Sequence, residues 1–150
     1  MLKFEFLCKL EVDVGEVVTM GHGPLGERRI VPILGGTFEG PAMRGKVLPG
    51  GNDWQIVRAD GVLDVDARYA LQVETGGAIR VVSQGYRHGP PEVLASLARG
   101  EQVEAEKYFF RSTLRFETGD ADLAWLNRTI AVATAERKAR QVLLTAYALL

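Results

Sequence analysis

Along the first fourteen residues apolar and polar positions alternate almost without a break. The even positions read Leu2, Phe4, Phe6, Cys8, Leu10, Val12 and Val14, and the odd ones from Lys3 to Asp13 are charged except for Leu7. A two-residue period sends alternate side chains to opposite faces of an extended chain. The stretch therefore predicts a long, half-buried strand with Phe4, Phe6, Cys8 and Leu10 on its inner face. Arg28 to Leu34 predicts a shorter strand, in which Pro32 points to an edge or a bulge because it lacks a backbone N–H. Gly35-Gly36 and Gly40-Pro41 read as turns.

The same period recurs to the C-terminus. Met43 to Leu48 and Asp53 to Ala59 are strand candidates separated by Gly50-Gly51, and Asp60-Gly61 is a favourable hairpin dipeptide. Ala67 to Val73 alternates, Gly76-Gly77 reverses the chain, and Ala78 to Ser83 returns it. Lys107 to Thr118 sets Tyr108, Phe110, Leu114 and Phe116 on one face and Arg111 and Arg115 on the other. Thr129 to Thr134 and Arg140 to Leu149 complete the strands. Only Glu92 to Arg99 carries helix punctuation, with Pro90-Pro91 before it, acid in the first turn and Gly100 after it. Asp120 to Asn127 predicts one helical turn around Trp125. Many short strands at close spacing with one helix predict an all-β, single-domain antiparallel barrel over residues 1–150.

Composition narrows the function classes. A chain of 150 residues with 47% hydrophobic and 25% charged residues can bury a core without metal or disulfide. The formal net charge of −1 lacks the basic footprint of a nucleic-acid binder. Arginine outnumbers lysine, 13 to 5. Charges at positions 3, 5 and 9 break any apolar signal-peptide core, and no run approaches a membrane span of about 20 residues, so a cytoplasmic protein is expected. The single cysteine, Cys8, has no partner within the chain and sits on an apolar face, which favours a packed thiol over a nucleophile.

The candidate motifs are soft. Gly21-His-Gly-Pro-Leu-Gly26 matches the spacing of a dinucleotide fingerprint, but Pro24 and the strand that follows deny it the helix N-terminus that would meet a pyrophosphate. His22 and His88 are far apart and suggest no metal site. No nucleophile elbow or phosphate-cradling loop is present. There remain polar residues where turns become strands: Asp53 and Trp54, then Asp66, Arg68 and Tyr69, then Tyr108 and Arg111. In a barrel such positions gather at a mouth. The plainer reading has Asp53 bonding its own turn, Arg68 and Arg111 solvated or paired with Glu74 and Glu117, and Trp54 and Trp125 anchoring the core.

Taken in order, Arg29-Ile-Val-Pro-Ile33, Gly35-Gly-Thr-Phe-Glu-Gly40, Gly45, Pro49-Gly-Gly-Asn-Asp-Trp54, Asp66-Ala-Arg-Tyr69, Gly85, Tyr108-Phe-Phe-Arg111, Phe116-Glu-Thr-Gly119 and Trp125-Leu-Asn127 resemble the family termed domain of unknown function 3237. The resemblance runs over nearly the whole chain. It implies a small bacterial β-barrel and carries no assigned catalytic residue.

Together these readings predict a barrel that binds a small carboxylated or carbonyl-bearing molecule and catalyses a cofactor-free isomerisation, cyclisation or hydration. Asp53 and Arg111 are the expected catalytic pair, an acid–base group and an anion-orienting fork. Trp54, Arg68, Tyr69, Tyr108 and Trp125 are the expected ligand-binding residues. No cofactor, metal, nucleic acid or membrane partner is expected, and a homo-oligomer is compatible with the pattern. The competing reading is a non-catalytic carrier or partner-binding barrel.

Overall fold

Alternation along one chain becomes a closed surface when each strand pairs with two others. The computed structural model describes residues 1–150 and contains ten strands: β1 (Phe4–Val14), β2 (Val18–Gly23), β3 (Gly26–Glu39), β4 (Arg44–Val47), β5 (Asn52–Val57), β6 (Leu63–Val73), β7 (Ala78–His88), β8 (Phe109–Thr118), β9 (Ile130–Arg137) and β10 (Gln141–Leu149). All pairings are antiparallel. The order runs β1-β10-β9-β8-β7-β6. β4 and β5 then share one place between β6 and β3, and β3 pairs back onto β1. The result is a closed antiparallel barrel of 8 strand positions, with β2 paired antiparallel to the first half of β3.

On β8 the alternation is complete. Phe110, Ser112, Leu114, Phe116 and Thr118 are buried, while Phe109, Arg111, Thr113, Arg115 and Glu117 are exposed. β1 departs from the pattern at one point. Its register slips between Phe6 and Cys8, so Leu7 and Cys8 are both buried. A bulge adds one residue to one strand and reverses the faces before it. Phe4 and Phe6 consequently lie outside, Phe6 41% exposed, and do not share the inner face with Cys8 and Leu10 as the plain alternation predicts. The charged-position exception, Leu7, is the trace of that bulge.

Gly35-Gly36 is likewise not a turn. β3 continues through it, and the register against β1 shifts there, with Asp13 opposite Gly35 and Val14 opposite Ile33. Gly36 has φ +134°, and a Cβ on it would lie 2.0 Å from the backbone oxygen of Glu11. Only glycine lets β3 and β1 approach this closely while the barrel wall bends. Pro32 sits beside this bend, at the last β5 pairing of β3.

Both ends of the barrel follow from where connections fall. Helix α1 (Pro91–Ala98) links β7 to β8 at one end. A 3₁₀ segment, Ala121–Arg128, links β8 to β9 at the other. It begins with the Asp120 carboxylate accepting from Asp122 N–H at 2.9 Å and buries Leu123 and Leu126. Asn127 stitches it to β8 by accepting from Thr118 N–H at 2.7 Å and donating to Thr118 O at 2.9 Å. Leu71, Ile79, Leu114 and Leu126, all fully buried, fill this end. The α1 end is hollow.

Candidate functional site

The hollow is a cavity of about 230 Å³ whose 20 lining residues include 13 hydrophobic ones. Leu97 and Ala98, from the last turn of α1, and Val17, from the β1–β2 connection, lie over it. Its polar wall comes from inward positions near the strand ends: Arg29 on β3, Asp53 and Gln55 on β5, Tyr69 on β6, Arg87 on β7 and Arg137 on β9. Asp53 is the only carboxylate among three guanidinium groups.

Local sequence explains how Asp53 gets there. A Cβ on Gly51 would meet Arg68 O and the Tyr69 side chain, each at 2.5 Å, so glycine allows β5 to start hard against β6. Asp53 and Gln55 then point inward, with Trp54 outward between them. The Asp53 carboxylate accepts from Gln55 Nε2 at 2.8 Å and from Asp66 N–H at 3.0 Å. Gln55 Oε1 in turn accepts from Arg29 Nε at 3.2 Å and Nη2 at 2.7 Å. Arg29 and Asp53 are thus joined through one amide, whose orientation both partners fix.

Burial raises the Asp53 pKa above the usual carboxylate value; the bonds from Gln55 and Asp66 and the charge of Arg87 oppose the rise. Desolvation also lowers all three arginines. Arg87 falls to about 10, by burial first and then by the neighbouring charges of Arg137 and Arg29. The five ion pairs of the protein all lie elsewhere, among partly exposed side chains. The guanidinium of Arg87 stacks over Phe110, 5.6 Å from the ring centre, and its buried Nε has no hydrogen-bond partner. The Tyr69 hydroxyl is buried without a partner too. Deeper in, Ser83 Oγ donates to Ser112 Oγ at 3.1 Å.

The structure brings together only part of the predicted set. Asp53 and Tyr69 line the cavity. Tyr108 is buried beside it and accepts from Arg137 N–H at 2.9 Å, which fixes the strand end that carries Arg137. Trp54 is on the outer surface, and Arg68 is outside as well, paired with Asp66 at 3.3 Å. Trp125 packs against the core on the 3₁₀ segment that closes the opposite end. Arg111, expected beside Asp53, is on the outer face of β8, donating to Phe110 O at 2.9 Å and lying over the Phe109 ring. The even-numbered residues of β8 face inward, so Arg111 cannot reach the cavity.

Arg29, Gln55, Arg87 and Arg137 were not anticipated. For Arg87 and Arg137 the signal is an arginine closing the inner register of a strand whose earlier residues on that face are small or apolar: Ile79, Val81, Ser83 and then Arg87; Ala131, Ala133, Ala135 and then Arg137. β7 continues past Ser83 to His88 and β9 past Thr134 to Arg137, so both arginines lie beyond the strand ends that the alternation predicts. Of the weaker motifs, Gly21 to Gly26 forms the end of β2 and the turn into β3, and no helix follows it. His88 stacks on Phe109, with ring centres 4.6 Å apart.

A closed barrel, packed at one end and hollow at the other, defines a small antiparallel β-barrel with a largely apolar internal cavity that has one arginine-bearing polar side. The chain belongs to the family described as "Protein of unknown function (DUF3237)", whose model matches residues 2–149. It is 41% identical over 143 residues to the UPF0311 protein blr7842 of Bradyrhizobium diazoefficiens, covering 95% of this chain and 93% of that one. The crystal structure of the conserved protein of unknown function RPA1785 from Rhodopseudomonas palustris superposes with a TM-score of 0.97 at 36% identity, covering 100% of this chain and 99% of that one. The fold also extends to a crystal structure described as an enzyme from Penicillium herquei, with a TM-score of 0.75 at 20% identity over 99% of this chain and 95% of that one.

Proposed function

We propose that the barrel binds a small carbonyl-bearing organic anion in this cavity and moves a proton on it without a cofactor. The observation that carries the proposal is the pair of unsatisfied buried donors, Arg87 Nε and the Tyr69 hydroxyl, in the wall that also holds Asp53. Buried polar groups in folded proteins are nearly always paired, and an unpaired one costs about 1–3 kcal/mol. An anionic oxygen accepting from both would remove that cost.

Size and lining agree with this reading. An apolar cavity of about 150 Å³ holds benzene, so this one admits roughly nine or ten non-hydrogen atoms at the same packing. Its largely hydrophobic wall suits a carbon skeleton, and its one polar side fixes the skeleton's direction.

The chemistry follows from charge placement. With its pKa raised, Asp53 is a stronger base once ionised than an ordinary aspartate and a serviceable acid once protonated. In the proposed step its carboxylate takes a proton from the carbon beside a carbonyl. The C–H electron pair forms the C=C bond of an enolate, and the carbonyl π pair moves onto oxygen. Arginine and the Tyr69 hydroxyl stabilise that oxygen anion. Protonated Asp53 returns the proton to that carbon; where the substrate carries a C=C bond β,γ to the carbonyl, the anion is a dienolate and the proton goes instead to its γ-carbon, the double bond moving into conjugation, an isomerisation with no change of oxidation state. The fungal barrel described as an enzyme supports catalysis on this fold by analogy.

The test is proton NMR in deuterium oxide with 4-oxopentanoate and 2-oxobutanoate. The protein is expected to speed loss of the signals of hydrogens beside the carbonyl, Asp53→Asn to abolish the acceleration, and Arg111→Ala to leave it intact. Binding of these anions with no acceleration would overturn the catalytic reading in favour of a carrier.

A further inference from the structure

Guanidinium groups buried side by side repel one another unless something negative lies among them. The cavity holds three, on β3, β7 and β9; the charges of Arg137 and Arg29 lower the affinity of Arg87 for its proton, and that of Arg29 lowers the affinity of Arg137. Asp53 is the single carboxylate in the wall, and none of the three arginines forms an ion pair with it or with any other acid. Among the lining groups, an ionised Asp53 leaves a surplus of two positive charges, while Glu27, outside the wall, adds a favourable charge to Arg29 alone. With Asp53 protonated, the surplus is three.

Hydrogen bonding divides the three arginines. Arg29 spends its Nε and one terminal nitrogen on Gln55. Arg87 and Arg137 have no side-chain hydrogen bond to any group of the protein, and the Arg87 Nε is buried without a partner. Two forks are therefore free, in a wall with two surplus charges. A guanidinium fork binds a carboxylate or phosphate through two parallel bonds, and such charge-assisted bonds are roughly twice as strong as neutral ones.

We infer that the cavity is built for a dianion, a small organic molecule carrying two negative charges met by Arg87 and Arg137, rather than for a monocarboxylate. The inference rests on the anion-binding reading above and specifies its charge. A dianion leaves the site with Asp53 ionised electrically neutral, so Asp53 stays a base while ligand is bound. A monoanion leaves one uncompensated buried positive charge. Both a dicarboxylate and a phosphate monoester carry the required charge, and the cavity's size admits a short chain or one ring between the charged group and the apolar wall.

Calorimetric titration at pH 7.5 and fixed ionic strength distinguishes these cases. The probes are acetate to hexanoate, malonate to adipate, and methyl and phenyl phosphate. The best dianion is expected to bind at least tenfold more tightly than the monocarboxylate of equal chain length, and whether dicarboxylate or phosphate leads names the source. Arg87→Met is expected to weaken the best dianion at least tenfold and to erase most of its advantage over the monoanion. Arg137→Met gives the same reading independently should the first variant fail to fold. Arg111→Ala, on the outer face, is expected to leave both affinities unchanged. Monocarboxylates binding within threefold of dicarboxylates would overturn the dianion inference and leave the anion-binding reading standing. Binding of no anion in the series would overturn both.

Discussion

Arg87 is held in the wall by the Phe110 ring and by β7, at the expense of hydration that nothing in the protein replaces. Its pKa, lowered to about 10, shows that folding penalises its charged form at every pH where it is protonated. Arg87→Met keeps the apolar stem and removes that penalty. The unliganded variant is expected to be more stable by about 1–3 kcal/mol in urea melts; a loss of stability would show that Arg87 is structurally paired. Asp53 has the opposite sign of charge and a different consequence. Its folded pKa is raised above the ordinary value of about 3.9. The native state therefore holds its proton more tightly, and the Asp53 contribution to stability falls as pH rises from about 3.9 to the raised value, then levels off. The melting temperature of Asp53→Asn minus that of the wild type should climb across this window and be flat above it; a difference independent of pH would contradict the raised pKa. Cys8 is fully buried, with burial pushing its thiol to about 12. It should react with a thiol reagent only on unfolding, and rapid labelling of the native protein would contradict its placement.

At the level of elements, two bulges decide what faces where. On β1 the slip between Phe6 and Cys8 separates residues that strict alternation would keep on one face, and on β3 the Gly35-Gly36 bend replaces an apparent turn. A glycine pair signals a special backbone angle, but that angle serves a turn and a bulge equally well. Alternation also does not say where a strand stops when its inner face changes from apolar to charged. Val81, Ser83 and Arg87 share one face of β7, yet the arginine breaks the apolar pattern by which a strand is recognised. Asp53 is legible because it follows the distinctive Gly50-Gly51 pair at the start of β5, whereas Tyr69 lies in the middle of β6 and only the apolar alternation of that strand marks its face. Arg87 and Arg137 are not legible, because long-range pairing with β8 and β6, and with β10, carries their strands onward. Two expectations belong here. Gly36→Ala should cost about 3 kcal/mol or more in denaturant melts, since the new Cβ would strike the Glu11 carbonyl at a φ that alanine avoids; a change below about 0.5 kcal/mol, the range of ordinary surface substitutions, would deny the close approach. Arg111→Ala and Arg115→Ala, both on the outer face of β8, should each stay within about 0.5 kcal/mol of wild type.

For the whole molecule, closure of the sheet removes its edges, and the division of the interior follows from the connections. The 3₁₀ segment drives Leu123 and Leu126 into one end, where the largest fully buried side chains collect. The end beneath α1 is lined by a mixture of apolar side chains and by Arg29, Arg87 and Arg137, and it stays open. No helix is long and apolar enough to cross a membrane. The barrel itself was legible from period-two patterning, because that pattern is a property of single strands. The cavity was not, because it depends on which inward residues meet when strands distant in sequence close into a ring. The proposed function requires Arg87 and Arg137 to receive an anion inside the barrel. A crystal structure with bromosuccinate bound, located by the anomalous signal of bromine, tests this most directly. The bromine is expected inside the cavity, with carboxylate oxygens about 2.7–2.9 Å from nitrogens of both Arg87 and Arg137 and one within reach of the Tyr69 hydroxyl. Bromine found only on the outer surface, for instance against Arg111, with ordered water alone in the cavity, would contradict it.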